Sequence, residues 1–161
     1  MAAVIGLPLS EVDQICAATA QRTGQVVEVA NDNEPAQVVI PGQADAVRIA
    51  SAAAVDAEAR RVVALDVGAL FHCSLMAEIA EQFAAALAET TFHPPAMNVV
   101  SSVTATPMGD LAEAREVLRQ QLTARVRWTE TVARMAADGV RRFVEVGPGA
   151  RALRAVPQDR A

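Results

Sequence analysis

The chain begins with a short apolar run, which is followed by a segment whose apolar residues recur at helical spacing. Residues 2–7 form an apolar run that Pro8 closes, which predicts a strand. Ser10 with Asp13 three residues later is typical of a helix start, and apolar positions then recur at helical spacing as far as Gly24. This part of the sequence therefore predicts a strand followed by a helix.

Two short β-branched segments come next. Residues 25–30 and 37–40 lie on either side of a cluster of turn-forming residues at 31–35, so they predict two strands paired as a hairpin. An alanine-rich helix is expected over 44–59 and a strand over 61–67. The resulting order, β-α-β-β-α-β, is the ferredoxin-like pattern.

From residue 68 onward, longer helices alternate with unbroken apolar segments. Helical spacing predicts three helices, over 75–89, 111–122 and 128–137. Residues 97–103 lack polar alternation and are expected to be a strand buried on both faces, and residues 142–146 are expected to be a short strand. Helices that alternate with such strands predict a parallel sheet. The glycines that follow the last strand, Gly147-Pro148-Gly149, predict a tight turn rather than a phosphate-binding loop.

Composition changes this picture mainly by what it excludes. All fourteen basic residues are arginine, which excludes Schiff-base chemistry on lysine and a P-loop. A chain of 161 residues that is 52% apolar can bury a core, and its net charge of −5 does not favour nucleic acid. The charge is uneven, with −9 over residues 1–110 and +4 over residues 111–161. Solvated helix faces are the favoured explanation, and the alternative is a patch on the C-terminal third that binds an acidic partner.

The cysteine content and the hydropathy pattern indicate the cellular compartment. Cys16 and Cys73 are too few for a disulfide framework or a cysteine-rich zinc site. The N-terminus has no basic region typical of a signal peptide, and no window approaches the roughly 20 apolar residues of a membrane-spanning helix. We therefore expect a reducing, cytoplasmic setting and no membrane partner.

The residues that could perform acid–base chemistry are few. His72 lies between the end of a predicted strand and the start of a helix, where a scaffold can hold a general base; capping of the helix is the alternative. His93, ahead of two prolines, is expected to be a surface loop residue. Cys73 adjoins His72, but adjacent side chains seldom reach the same ion, so we predict no metal site.

A nucleophile for this base is not evident in the sequence. A serine raised on a strand-to-helix elbow has the pattern Gly-x-Ser-x-Gly. None of the five serines has a glycine two residues to either side; they are Ser10, Ser51, Ser74, Ser101 and Ser102. The sequence therefore contains a candidate base without its usual partner.

Several stretches, taken in order, resemble one known family. They are Met1-Ala-Ala-Val-Ile-Gly-Leu7, Val29-Ala-Asn-Asp-Asn33 with Gln37-Val-Val-Ile-Pro-Gly42, Phe71-His-Cys-Ser-Leu-Met76, Arg119-Gln-Gln-Leu122 with Val126-Arg-Trp128, and Met135-Ala-Ala-Asp-Gly139 with Phe143-Val-Glu-Val-Gly-Pro-Gly149. Their order and spacing resemble the C-terminal part of the malonyl-CoA:acyl carrier protein transacylase family. This resemblance implies an α/β fold, with a ferredoxin-like small subdomain at 1–67 followed by an incomplete α/β-hydrolase-like, parallel-sheet acyltransferase core at 68–161.

The resemblance also implies a reaction and roles in it. The family transfers malonyl from coenzyme A to acyl carrier protein in fatty acid biosynthesis, by a ping-pong mechanism in which a serine attacks the thioester and a histidine takes its proton. The family's catalytic histidine falls on His72, and the glutamine that offers an acceptor to it falls on Gln121, although Gln120 is adjacent. Malonyl-CoA and acyl carrier protein are the implied partners, and no cofactor is implied.

The main departure from the family is the missing nucleophile. The family's Gly-His-Ser-Leu-Gly elbow, its oxyanion glutamine and the arginine that binds the malonate carboxylate all precede the segment that this sequence matches. We therefore expect the chain to be inactive alone, as a truncated enzyme, a product of a misassigned start, or one half of a split enzyme that needs a separate N-terminal half.

Two alternatives stay open at this point. The first is a non-catalytic module that binds acyl carrier protein, with candidate contacts at Arg115, Arg119, Arg125 and Arg127. The second is a fragment of a polyketide-type acyltransferase. In that superfamily a bulky residue before the histidine is associated with malonyl specificity, so the resemblance makes Phe71 a candidate wall of the substrate pocket.

Overall fold

The computed structural model describes residues 1–146, so the predicted turn at Gly147-Pro148-Gly149 lies outside the described residues. The first part of the chain follows the predicted order of strands and helices. These elements are β1 (Ala2–Ile5), α1 (Leu9–Thr23), β2 (Asn31–Glu34), β3 (Gln37–Ile40), α2 (Ala44–Asp56) and β4 (Arg61–Ala64).

The strands form one mixed sheet of five in the order β4-β1-β3-β2-β5, where β5 is Val126–Arg127. Strand β1 lies between two antiparallel neighbours, and Ala2 pairs with Ile40 on one side and Ala64 on the other. Strand β5 pairs with β2 in parallel, through Asn31 opposite Val126. The α/β class expected from the sequence is confirmed.

Helices α1 and α2 pack against the sheet around one apolar cluster. The cluster includes Val4 from β1, Val38 and Ile40 from β3, and Val12 from α1, all fully or almost fully buried. Complete burial of a valine or isoleucine side chain stabilises a fold by about 1.5–3 kcal/mol. Helix α2 contributes three buried alanines, whose small side chains let it approach β1 and α1 closely.

The ends of α1 agree with the sequence at one terminus only. Gly24 ends the helix as expected, with a left-handed φ of 65° and its N–H bonded to the oxygen of Ala20. The predicted start at Ser10 is wrong, because the helix begins at Leu9 and Pro8 occupies the N-cap position without a capping side chain. Proline already has the φ that the first turn needs and no N–H that would need an acceptor there.

The hairpin is present, but its first strand is displaced. We expected a strand over 25–30 and a turn at 31–35, whereas the regular strand is Asn31–Glu34 and the turn lies at 35–36. Residues 25–30 run beside the end of β3 with only scattered hydrogen bonds, such as Ala30 N–H to Val39 O. Pairing on both sides, with β3 and β5, outweighs the weak strand propensity of Asn and Asp.

The three helices predicted beyond residue 68 are all present. A 3-10 turn at Ser74–Met76 leads into α3 (Ala77–Glu89), and α4 (Leu111–Gln121) and α5 (Trp128–Ala137) follow. Helix α4 has a well-formed start, because the Asp110 carboxylate accepts hydrogen bonds from the N–H groups of Ala112 and Glu113. In the described part of the chain, no helix is both long and apolar enough to cross a bilayer.

The strands predicted at 97–103 and 142–146 are wrong. Residues 97–103 form only an isolated bridge, Val100 with Pro107, and residues 141–146 have no regular structure. A strand needs neighbours that accept and donate along its length, and within residues 1–146 neither segment belongs to such a ladder. Strand β5 reaches the first segment through the Arg127 N–H, which donates to the oxygen of Ser102 at 2.8 Å. Met97 is accordingly 76% exposed, and the only parallel pair in the described residues is β2 with β5.

Candidate active site

His72 lies in the loop that connects β4 to the 3-10 turn, where its backbone is left-handed with a φ of 62°. Few non-glycine residues adopt this conformation, although histidine does so more often than most. Such a conformation persists when surrounding contacts hold it. The contacts of His72 therefore decide what its side chain can do.

Two hydrogen bonds attach His72 to the end of α4. Its main-chain N–H donates to the oxygen of Leu122 at 2.9 Å, and its ring Nδ1 lies 2.8 Å from the main-chain oxygen of Gln121. The last carbonyl groups of a helix have no partner within the helix. His72 thus takes up two acceptors that the C-terminus of α4 leaves available.

The bond to Gln121 determines where the ring carries its hydrogen. A carbonyl oxygen only accepts, so Nδ1 of His72 is the protonated nitrogen of the neutral ring. The other nitrogen, Nε2, then holds a lone pair and can accept a proton from an incoming group. This is the arrangement of a general base whose orientation is set by a neighbouring acceptor.

The acceptor belongs to Gln121 rather than Gln120, but it is the main chain that accepts. The carbonyl of Gln120 accepts hydrogen bonds from residues 123 and 124, and the Gln120 side chain donates to Glu116 at 2.5 Å. The sequence therefore identified the position that meets His72 but not the group that accepts.

Phe71 lies beside this ring at the surface. Its side chain is 48% exposed, and its ring centroid is 6.5 Å from that of His72, with the planes tilted by 55°. Edge-tilted pairs at such distances are favourable contacts between aromatic rings. The arrangement leaves a face of Phe71 free to line the space next to the histidine.

A carboxylate from the strand-rich first part of the chain binds the segment that follows His72. Glu28 accepts the main-chain N–H of Ser74 at 2.9 Å and the Ser74 hydroxyl at 2.6 Å. Sequence reasoning did not identify Glu28. The available signal was a single charged residue in the apolar stretch 26–30.

The cysteine next to His72 does not have the properties of a nucleophile. Cys73 is fully buried, and its thiol donates to the oxygen of Leu70. Burial raises the pKa of Cys73, and burial followed by the charges of Asp13 and Glu28 raises the pKa of Cys16 to about 12. Both thiols are therefore protonated at neutral pH, whereas the thiolate is the reactive form.

Two of the serines near this region have hydrogen-bond partners within the chain. The hydroxyl of Ser74 donates to Glu28, and the hydroxyl of Ser101 accepts the N–H of Val103. Ser101 is buried as well. His93, the other histidine, is exposed in the loop after α3, as the sequence predicted.

The two arginines of α4 have partners within the chain. Arg115 donates to the oxygens of Leu87 and Thr90 and lies over the ring of Phe92, 4.7 Å from its centroid. Arg119 pairs with Glu116 at 2.6 Å, and hydrogen bonds from Arg119 and Gln120 lower the pKa of Glu116 to about 2. Arg115 thereby connects α4 to the end of α3.

The two arginines around β5 are likewise engaged. Arg125 pairs with Asp13 of α1 at 3.2 Å. Arg127 pairs with Glu130, whose pKa it lowers, and donates to the oxygen of Thr104 at 3.0 Å. An acidic partner would compete with these contacts for all four guanidinium groups.

The fold is that of an acyl transferase domain. Residues 6–159 match the family described as the acyl transferase domain, and the chain belongs to that family. More particularly, it is 42% identical over 149 residues to the malonyl CoA-acyl carrier protein transacylase of Salmonella typhimurium, across 92% of this chain and 48% of that protein. The Bacillus subtilis protein of the same name is 35% identical over 149 residues, 92% of this chain and 47% of that one.

Solved structures give the same likeness. The transacylase from Coxiella burnetii superposes with a TM-score of 0.92 at 32% identity, over 96% of this chain and 48% of that one. A malonyl-transacylase in complex with a type II PKS acyl-carrier protein superposes with a TM-score of 0.92 at 36% identity, over 96% and 49% of the two chains. The chain spans about half the length of the curated relatives that it matches.

Proposed function

We propose that this chain provides the histidine-bearing part of a malonyl-CoA:acyl carrier protein transacylase site, with His72 as the general base. The observation that carries the proposal is the bond between Nδ1 of His72 and the Gln121 carbonyl, because it leaves Nε2 as the acceptor. Family membership and the names of the relatives supply the reaction class and the substrates. The setting that we propose is the cytoplasm.

The nucleophile in this proposal comes from outside the 161 residues. No serine has the elbow pattern, and the buried thiols are protonated at neutral pH. The proposed source is the family's Gly-His-Ser-Leu-Gly segment, carried either on the same longer protein or on a separate polypeptide. Without it, the chain is expected to be inactive.

The proposed reaction has two transfers that share one serine. In the first, the serine hydroxyl gives its proton to Nε2 of His72, its oxygen bonds to the malonyl carbonyl carbon, and the carbon–sulfur bond breaks. Coenzyme A leaves as a thiol with that proton. In the second, the phosphopantetheine thiol of the carrier protein gives its proton to Nε2, its sulfur takes the malonyl group, and the serine recovers the proton.

A pairing experiment tests the proposal. The chain is mixed with the Ser-bearing remainder of the Salmonella relative, and formation of malonyl-acyl carrier protein is measured. We expect transfer that needs both polypeptides and falls by at least about a hundredfold with His72→Ala. The matched control, His93→Ala, changes the other histidine and should leave transfer intact. Transfer that does not depend on His72 would refute the proposal.

A second candidate, binding of acyl carrier protein without catalysis, is favoured by one observation. One similar structure is a malonyl-transacylase in complex with an acyl-carrier protein. Salt-sensitive binding that is lost on replacing Arg115, Arg119, Arg125 and Arg127, in the absence of any transfer after pairing, would favour this module. A polyketide-type acyltransferase, with Phe71 lining its pocket, remains the third proposal.

A further inference from the structure

Glu28 connects the strand-rich part of the molecule to the loop that carries His72. The two ends of this contact are 46 residues apart in sequence, and both oxygens of the carboxylate are used. Oε2 accepts the main-chain N–H of Ser74, and Oε1 accepts its hydroxyl. Because the acceptor is a carboxylate, these bonds are stronger than bonds between neutral groups.

The backbone that holds Glu28 is anchored on both sides. Val27 and Val29, its neighbours, are buried in the apolar cluster of the sheet. The N–H of Glu28 donates to the oxygen of Pro41 at the end of β3, at 3.1 Å. The carboxylate is therefore presented from a rigid support rather than from a mobile loop.

The other end of the contact is the beginning of a helical segment. Ser74 is the first residue of the 3-10 turn that runs into α3, and Cys73 in the N-cap position provides no capping side chain. The first N–H groups of a helix need an acceptor from elsewhere, and a negative charge is favourable there. Glu28 supplies that acceptor two residues after His72.

The left-handed backbone of His72 is thus held from both directions. On one side its own N–H is bound to Leu122, and on the other Ser74 is bound to Glu28. We propose that Glu28 is a positioning residue for His72, which keeps the loop in the one conformation that brings ring Nδ1 to the Gln121 carbonyl. A role of Glu28 in catalysis rests on the proposed function, whereas its effect on the orientation of the His72 ring does not depend on that function.

Imidazole ¹⁵N NMR of the whole chain tests this role directly. The protonated ring nitrogen and its rate of solvent exchange are measured for His72, with His93 as the internal reference. For Glu28→Ala, exchange of the Nδ1 hydrogen should become about tenfold faster, since a charge-assisted hydrogen bond is lost, and a mixture of ring tautomers should appear. Glu28→Gln retains one acceptor oxygen and should have a smaller effect in the same direction.

Two further variants make the result specific. Ser74→Ala removes only the hydroxyl bond and should move the His72 signals in the same direction as Glu28→Gln. Glu34→Gln, a carboxylate change at the end of β2, should leave them unchanged. If Glu28→Ala does not fold, Glu28→Gln and Ser74→Ala still decide the question.

The outcome that would overturn the proposal is also clear. If the Glu28 variants unfold at lower denaturant concentration while the His72 ring keeps its tautomer and exchange rate, Glu28 only stabilises the fold. This result is independent of the pairing experiment. If the paired mixture shows no transfer but the Glu28 variants still alter the His72 ring, only the proposed function is refuted. If transfer occurs but the Glu28 variants leave the His72 ring unchanged, only the positioning role is refuted.

Discussion

Nδ1 of His72 lies 2.8 Å from the main-chain oxygen of Gln121, a residue 49 positions later in the chain. The contact brings the β4–α3 loop to the C-terminus of α4. Because the acceptor is a backbone atom at a helix end, the ring is oriented by the path of the chain and not by a particular side chain. The identity of residue 121 should therefore matter little for this bond.

That relationship gives the first prediction. Gln121→Ala keeps the carbonyl and favours the helix, so in the paired assay it should change transfer by no more than about twofold, the effect of an ordinary surface substitution. His72→Ala should abolish transfer in the same assay. A loss with Gln121→Ala as large as with His72→Ala would indicate that the side-chain amide, not the carbonyl, orients the base.

A second prediction concerns the buried carboxyl of Asp32. Its Oδ1 accepts the hydroxyl of Thr129 at 3.1 Å, and burial raises the pKa of Asp32 from its ordinary value of 3.8. As the pH rises above about 4, the unfolded chain releases this proton first, so the unfolding free energy falls through the window up to the raised pKa. Asp32→Asn keeps an acceptor for Thr129 but has no charge to bury.

Asp32→Asn should therefore gain stability relative to the parent as the pH increases from 4 to 7. Denaturant midpoints at several pH values measure the difference. Asp66→Asn, at an exposed position before the His72 loop, is the matched control and should follow the parent closely. Parallel curves for Asp32→Asn and the parent would contradict the buried-carboxyl account.

A third prediction separates a structural arginine from an exposed one. Arg115 donates to two carbonyls at the end of α3 and covers Phe92, whereas Arg119 makes ion pairs with exposed glutamates. Arg115→Ala should lower the unfolding free energy by about 1–3 kcal/mol, and Arg119→Ala should lower it by clearly less, because solvent screens its ion pairs. Urea unfolding of the two variants would compare them, and equal losses would contradict the assignment.

A fourth prediction concerns amide hydrogen exchange in residues 97–103, where the sequence predicts a strand that the structure does not contain. Strand β1 is paired on both sides, so the amides of Ala3 and Val4 should be strongly protected. Residues 97–99 are exposed and lie outside any strand, so their amide hydrogens should exchange rapidly. Strong protection of Asn98 in the isolated chain would indicate a strand that the described fold lacks.

The order of elements over residues 1–67 could be predicted because each one has its own local signal. Apolar runs, helical spacing and Gly24 mark where strands and helices lie without any knowledge of the tertiary structure. Strand β2 could not be located in this way. Asn31 to Glu34 become a strand because β3 and β5 lie on either side of them, and β5 comes from a part of the chain almost a hundred residues later.

The strands predicted at 97–103 and 142–146 fail for the opposite reason. Their β-branched residues have a strong intrinsic preference, but a ladder also needs a strand paired along its length, and in the described residues neither segment has one. The candidate site shows the same division. His72 could be proposed from its position in a loop, whereas Glu28 and the Gln121 carbonyl reach this loop through contacts that only the folded chain brings together.

The central claim is the proposal that His72 acts as a base on a serine that lies outside these 161 residues. Radiolabelled malonyl-CoA, followed by mass spectrometry of the labelled peptide, tests it most directly. We predict no label on this chain alone, and in the paired mixture an ester on the partner's serine whose formation requires His72. An ester on any hydroxyl of this chain by itself, or labelling of the partner at an equal rate with His72→Ala, would contradict the account.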